Sequence, residues 1–550
     1  MHWINDTVFY NIYPLGFCGA PKNNDFQLTY RLDKLYDFIP HFKEMGVNAI
    51  VFNPVFESSK HGYDTIDYKK IDSRLGDNES FKKLCDTLHA NGIRVLLDGV
   101  FNHVGRDFFA FKDIQQYGMS SIYCSWFHNI RFDGMSPYGD GFTYEGWAGH
   151  YDLVKLNLQN SYVVEYLLDA VSYWIDKFGI DGLRLDAANC IDINFFKKLK
   201  DQCKSKKPDF WMYAEIVGGD YNRWANPDTL DSVTNYDIYK ALYSCHNDRN
   251  YFEFAHSLDR EYGNWGIYKN LYLYNFADNH DVTRVASTIR DKALLKNLYT
   301  MLYTMPGAPS IYYGSEYAVE GRVQRGSDDD VRRPMDLNAL ENPDYSLYDH
   351  ICKLGALKHK LEALQYGKYN NEVIQLEHLC YSMKTDSQSL YVLLNQSSEP
   401  RHIGINTGYD GYLTDVLNDN EKFECHGYVD IMVSPQSSMI LVANDGSLNI
   451  DFDSIIDNTT VIPAASEPAE IDTEPSEELT PEEITPGRYR HFKGNEYEVV
   501  DFAKDSETTE KMVIYRALYG DHELWVRPYD MFREIIERDG KRMRRFERIE

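Results

Sequence analysis

The stretch Ile93-Arg94-Val95-Leu96-Leu97-Asp98-Gly99-Val100-Phe101-Asn102-His103 decides how the rest of the chain is read. Ile93 to Asp98 has the length and apolar density of a buried strand, and it ends in an acid. Phe81 to Ala90, just before it, is helical. From His103 to about Lys155 the pattern becomes irregular and rich in Gly, Tyr, Asp and Trp. On the N-terminal side, Val8 to Tyr13 and Asn48 to Asn53 read as strands, with a helical run from Asp33 to Met45 between them (Leu35, Phe38, Ile39, Phe42). Beyond the irregular stretch the alternation resumes: Tyr162 to Phe178 helical, Gly182 to Leu185 a strand, Phe195 to Gln202 helical, Phe210 to Glu215 a strand. Ser232 to Tyr236, Leu271 to Phe276 and Pro309 to Tyr313 are the later strand candidates. Eight strands separated by helices or helix-length gaps predict an α/β chain, a closed parallel (β/α)8 TIM barrel with a domain inserted after strand three. An open doubly wound sheet would want a phosphate-binding loop early, and no G-x-G-x-x-G follows the first strand.

Composition bounds the function. At roughly 150 residues per domain, a chain of this length suggests three or four domains. Hydrophobic residues are 43% and charged residues 26%, enough to build packed cores, and the net charge is −28. Such acidity disfavours nucleic acid and anionic lipid surfaces as partners. The chain opens without a basic head or an apolar signal core, and no apolar run reaches the length of a membrane span. Nine scattered cysteines with no C-x-x-C pair read as reduced thiols. The expectation is a soluble, cytoplasmic protein. Residues 1–360 are expected to form the barrel, with its insertion at about 103–155. Residues 361–446 read as a small antiparallel β domain, and 447–485, acidic and dense in Pro, Glu, Ser and Thr, as a self-repelling linker. Residues 486–550 read as a small β-rich module ending in a charged helix from Phe532 to Glu550.

Reactive residues of such a barrel sit at the C-terminal ends of its strands. Strand three ends in Asp98. Strand four, Gly182-Leu183-Arg184-Leu185-Asp186, ends in an Arg and an Asp two apart, on one face. Strand five ends in Glu215, and strand seven runs into Asn279-His280-Asp281. An acid at the end of a strand is often only a cap for the next helix. Four strand ends carrying acids, with an Arg and two His, form a cluster that costs free energy through repulsion and desolvation. Two such carboxyls can cleave an acetal, one protonating the leaving oxygen and the other attacking the anomeric carbon. The necessary pKa split is expected from Arg184 holding Asp186 ionised, and from Asp186 and Asp281 raising Glu215.

These residues resemble the four sequence regions of the α-amylase glycoside hydrolase family: Asp98-Gly-Val-Phe-Asn-His103, Gly182-Leu-Arg-Leu-Asp186, Ala214-Glu215 and Asn279-His-Asp281. Gly46 to Pro54, His61-Gly-Tyr-Asp64, Val154-Lys-Leu-Asn157 and Gly307 to Glu316 resemble further segments of that family, in the same order from about Val8 to Val442. The resemblance implies a retaining glycosidase that hydrolyses α-glucosidic, mainly α-1,4, bonds of a small maltooligosaccharide. Asp186 would be the nucleophile, Glu215 the acid and then base, and Asp281 the stabiliser of the distorted sugar. Arg184, His103 and His280 would contact Asp186 or the sugar, Tyr63 would stack on the sugar ring, and Asp98 would support Arg184. No cofactor is needed for this chemistry. Asn102 corresponds to a position that binds calcium in some relatives. Asn189 fits the neopullulanase and cyclomaltodextrinase group, whereas Cys190 departs from it, as does the lack of that group's N-terminal β domain. Gly487 to Gly494, Tyr497 to Val500 and Leu524 to Phe532 resemble a small bacterial domain of unknown function. Two other activities fit the same residues: transglycosylation through the same covalent intermediate, and an inactive sugar-binding scaffold. The sequence leaves the oligomeric state open.

Overall fold

The computed structural model describes residues 2–452, 483–491, 496–504, 511–518, 524–538 and 541–549. The chain divides into two compact units, Met1–Ala465 and Ser466–Glu550. In the first, eight short parallel strands form one sheet: β1 (Phe9–Ile12), β2 (Ala49–Phe52), β3 (Arg94–Gly99), β4 (Gly182–Leu185), β5 (Trp211–Ala214), β6 (Ser232–Val233), β7 (Tyr274–Phe276) and β8 (Ala308–Tyr312). Their order is β6-β5-β4-β3-β2-β1-β8-β7. A parallel bridge from Thr234 to Tyr274 joins the two ends and closes the barrel. Apart from Arg94, every strand residue is buried, as expected for parallel strands covered on both faces.

The seam between β6 and β7 is made largely by side chains. Asn235 Nδ2 donates across it to Asn275 Oδ1 at 3.0 Å and Ser232 Oγ to the Tyr272 carbonyl at 2.8 Å, while on the β5 side Thr234 Oγ1 accepts from Ile216 N at 2.9 Å. The helices follow their apolar spacing. Ser161–Phe178 buries Val163, Val164, Leu167, Ala170, Val171, Trp174, Ile175 and Phe178, a 3.6-residue stripe. Asn160 caps it by accepting from Tyr162 N, and Gly179 at φ 71° ends it. The run from Asp33 to Met45 is not one helix. It is a 3-10 segment, Arg31–Phe38, followed by a short α-helix, Ile39–Glu44, because Pro40 offers no N–H to carry the ladder through.

The insertion after β3 consists of a helix, Phe109–Tyr117, and a three-stranded antiparallel sheet of His103–Gly105, His150–Lys155 and Gly146–Trp147. The antiparallel β domain is a six-stranded sheet between Lys368 and Asn444. The start of the expected linker is docked: Ile450 is buried, and its N–H and carbonyl both pair with the Asn420 side chain at 2.8 Å. Residues 453–482 of that linker lie outside the described residues.

The second unit is a five-stranded antiparallel sheet around Tyr489, Val499, Val513, Tyr515, Phe532 and Phe546. The charged helix expected from Phe532 onward is absent among the described residues. One helical turn, Tyr529–Phe532, gives way to the paired strands Ile535–Arg538 and Lys541–Arg544, and then to Phe546–Arg548 on the sheet edge. Phe546 stacks on Phe532 with centroids 3.9 Å apart, and this aromatic burial outweighs the helical look of a charge-rich run. Among the described residues, no helix is long and apolar enough to cross a membrane.

Trp174 ties the barrel wall to the segment after β2. Its ring stacks on Phe56 at 4.4 Å and Phe101 at 5.8 Å, and its Nε1 donates to the Tyr68 carbonyl at 2.6 Å. Trp174→Ala should destabilise the first unit by about 3–5 kcal/mol in equilibrium denaturation. A loss below about 1 kcal/mol would show that the site repacks.

Candidate active site

Parallel strands in register bring their C-terminal ends to one mouth. Asp98 on β3 lies directly opposite Arg184 on β4, and Tyr213 on β5 flanks Arg184 on the other side. Asp186 N bonds to the Gly99 carbonyl at 3.2 Å and Glu215 N to the Leu185 carbonyl at 3.0 Å, so the register persists one residue beyond each strand. Arg184 is buried, and its guanidinium meets three acids. Nη1 donates to Asp98 Oδ2 and stands 3.5 Å from Asp186 Oδ1, while Nη2 lies 3.0 Å from Glu215 Oε2. Glu215 Oε2 also accepts from Ala187 N at 3.0 Å. Ala187 pays for that contact with a left-handed backbone, φ 44°, immediately after Asp186.

The wall opposite is built on His280. Its ring is nearly parallel to Tyr13 and Tyr63, with centroids at 5.9 and 5.7 Å, and its Nε2 meets both Tyr63 Oη and Asp281 Oδ2, the latter at 2.9 Å. Tyr63 Oη donates to Asp98 Oδ2 at 3.1 Å, as does Asn53 Nδ2. Asp281 Oδ1 is 2.9 Å from Arg332 Nη2, and Arg332 Nε donates to the His280 carbonyl at 3.0 Å. Arg332 also lies 4.7 Å over the Tyr13 ring. His103 is 1% exposed; its Nδ1 faces the Asn102 amide at 3.2 Å and its Nε2 has no partner.

The structure therefore gathers Asp98, Arg184, Asp186, Glu215, Tyr63, His280 and Asp281 into one continuous network. One expectation is reversed. Burial first, and then the charge of Glu215, push the Asp186 carboxyl well above the usual range, against the pull of Arg184. The reason is geometric, because the guanidinium is engaged with Asp98 and Glu215 and reaches Asp186 only at 3.5 Å. Asp281 shifts the other way. Burial would raise it, but His280, Arg332 and Arg184 together hold it well below the ordinary carboxylate range. Burial, with a smaller contribution from His61, lowers His103 to about 3, so that imidazole is neutral.

Tyr63 is buried and presents a ring face to His280. Asn102 is buried with its amide on His103, and among the described residues no three His, Cys, Asp or Glu side chains are grouped to hold a metal. The carboxylate set that calcium favours is thus not gathered at Asn102. Arg332, Tyr13 and Asn53 were not singled out by the sequence. Tyr13 and Asn53 carried a signal, since each ends a strand at the barrel mouth. Arg332 lies in a loop without periodicity and carried none.

Residues 12–375 match the family model described as Alpha amylase, catalytic domain. The chain belongs to the α-amylase family. Residues 487–548 match a protein family of unknown function, DUF1653. A cyclomaltodextrinase of Geobacillus thermopakistaniensis (strain MAS1) is 31% identical over 462 residues, covering 80% of this chain and 77% of that protein. Neopullulanase 2 of Thermoactinomyces vulgaris is 32% identical over 472 residues, covering 80% and 78%. Among solved structures, a cyclomaltodextrinase superposes with a TM-score of 0.71 at 27% identity, covering 80% of this chain and 78% of that one. The chain is accordingly an α-amylase-family glycosidase.

For this glycosidase the raised Asp186 makes a stability prediction. A carboxyl whose folded pKa lies above its unfolded value of about 4 contributes stability below that pH, and the contribution is lost as pH rises through the folded value. Asp186→Asn should therefore raise the thermal midpoint near pH 7 by about 1–2 °C, and the gain should vanish near pH 4. A midpoint lowered at pH 7 would show that Asp186 is not strained by its neighbours.

Proposed function

We propose that the protein is a retaining hydrolase of α-glucosidic, mainly α-1,4, bonds in maltooligosaccharides or related α-glucans. Its names among relatives, cyclomaltodextrinase, maltogenic α-amylase and intracellular maltogenic amylase, support this substrate class and a cytoplasmic site of action. A cyclic maltosyl-maltose hydrolase of Arthrobacter globiformis, 25% identical with a TM-score of 0.69, has been solved with maltose. The observation that carries the reading is one buried guanidinium bridging Asp186 and Glu215, with Asp281 held ionised beside them.

The chemistry follows from that arrangement. The reaction requires the proton on Glu215 and a carboxylate at Asp186. When the proton rests on Glu215, that side chain no longer opposes the ionisation of Asp186, and Arg184 stabilises the resulting carboxylate. Glu215 then protonates the glycosidic oxygen while Asp186 attacks the anomeric carbon from the opposite face. The product of this step is a glycosyl ester on Asp186 and an ionised Glu215. Glu215 next takes a proton from water as the water displaces Asp186, which restores the configuration of the substrate. Asp281, kept negative by His280 and Arg332, accepts hydrogen bonds from sugar hydroxyls and favours the oxocarbenium-like transition state. His103 and His280 orient the sugar from either wall, Tyr63 closes the base of its pocket, and Asp98 keeps Arg184 in place.

Incubation with maltotriose, maltoheptaose, cyclodextrins and pullulan, with products followed by chromatography and by NMR of the anomeric proton, tests this reading. The first product formed should be the α-anomer; an initial β-anomer would overturn the retaining mechanism. Asp186→Ala and Glu215→Gln should each lower kcat by several orders of magnitude, about 10³-fold or more, with the fold intact by circular dichroism. Retained turnover in either variant would remove that residue from the chemistry.

A further inference from the structure

The inserted sheet delivers one large ring to the mouth of the barrel. Strands Gly146–Trp147 and His150–Lys155 form a tight hairpin in which Trp147 faces His150 across the turn. Three backbone features specify that turn. A Cβ on Gly146 would come within 2.3 Å of the His150 carbonyl oxygen, the register shifts between Gly146 and Trp147, and Ala148 and Gly149 adopt φ 48° and 85°. The Ala148 conformation is unfavourable for a side-chain-bearing residue, so packing holds it there. The result is a row of three rings. Trp147 lies 5.5 Å from His103 and 6.0 Å from His150, so the row runs outward from a buried histidine to an exposed one.

Trp147 is neither core nor free surface: it is partly exposed beside a buried imidazole whose Nε2 has no partner. A buried nitrogen without a partner is unfavourable unless a ligand supplies the missing hydrogen bond. His103 follows β3, Asp186 follows β4 and Glu215 follows β5, in neighbouring order around the barrel. The acid stands where the leaving group departs. Trp147 packs beside His103, which follows β3, so the strand order sets it on the side of Asp186 away from Glu215, the side the retained part of the chain takes. The flat apolar face of a glucose ring packs on an indole, while its rim hydroxyls remain free to hydrogen-bond.

We propose that Trp147 is the binding platform for the second glucosyl unit on the retained side of the cleaved bond, adjoining the unit held by Asp186, Asp281 and His103. This rests on the maltooligosaccharide reading above. It makes the inserted hairpin a determinant of how many sugars the enzyme grips, and not only a strut against His103.

The test compares p-nitrophenyl α-glucoside, which has one sugar on the retained side, with p-nitrophenyl α-maltoside, which has two. In the full chain, Trp147→Ala should raise KM for the maltoside about tenfold while leaving kcat and the glucoside KM within about twofold. Trp147→Phe should recover most of the maltoside KM, and Trp147→Leu, which keeps bulk but not a flat face, should not. The Leu variant stands in for Ala should the latter fail to fold by circular dichroism. Equal changes on both glycosides, or none, would overturn the proposal while the parent enzyme still cleaved maltooligosaccharides. A parent enzyme inert on every glucoside would overturn the substrate reading and this inference together.

Discussion

One cation has to satisfy three acids. Arg184 is buried at the end of β4 with Asp98 on one side, Glu215 on the other and Asp186 ahead, and no second guanidinium or ammonium among the described residues forms an ion pair with those three. Burying charges is costly unless they are closely paired, and breaking such a pair leaves an uncompensated charge. The surrounding barrel is therefore arranged to keep that head in place. Asn53 and Tyr63 bond Asp98 from β2 and the following turn, and the backbone turns left-handed at Ala187 so that its N–H reaches Glu215. Because one positive charge cannot neutralise three negative ones, the buried cluster resists full ionisation, and burial with the charge of Glu215 raises Asp186.

The two outer carboxyls are driven apart by what surrounds them and not by their chemistry. Asp186 sits among acids and is pushed up; Asp281 sits among His280, Arg332 and Arg184 and is pulled down. His280 is clamped between two tyrosine rings, which fixes the direction of its Nε2 and with it the position of Asp281. Arg332 performs two tasks here, covering the Tyr13 ring and tying the His280 carbonyl to Asp281 Oδ1.

Much of this was legible beforehand because barrel chemistry is tied to strand ends. Asp98, Arg184, Asp186, Glu215 and Asp281 each follow a short apolar run, and the structure brings all five together. What escaped the sequence was distance. Spacing of two places Arg184 and Asp186 on one face, but it says nothing of which acid the long arginine head reaches first, and Asp98 and Glu215 reach it more closely. Arg332 escaped because its loop has no period to announce a side chain's direction. The charge-rich tail read as a helix because its anchoring residue, Phe546, is a single aromatic among many charges, and its burial against Phe532 is a tertiary event. Pro40 split the first helix for a reason present in the sequence, since proline interrupts a ladder wherever the apolar spacing runs across it.

The β6 seam bears on all of this. β6 is two residues long and separates β5, which leads to Glu215, from β7, which leads to Asp281. Where the other neighbouring strands share at least two ladder pairs, here the join to β7 is one bridge reinforced by the Ser232 hydroxyl and the Asn235 amide. The gauge of the catalytic mouth is thus written in a handful of polar groups, one of which, the Asn235 amide, also bonds the buried Glu261 at 2.9 Å. Replacing Ser232 with alanine there would keep the shape yet unbutton the ring, letting the two acids drift without touching either one.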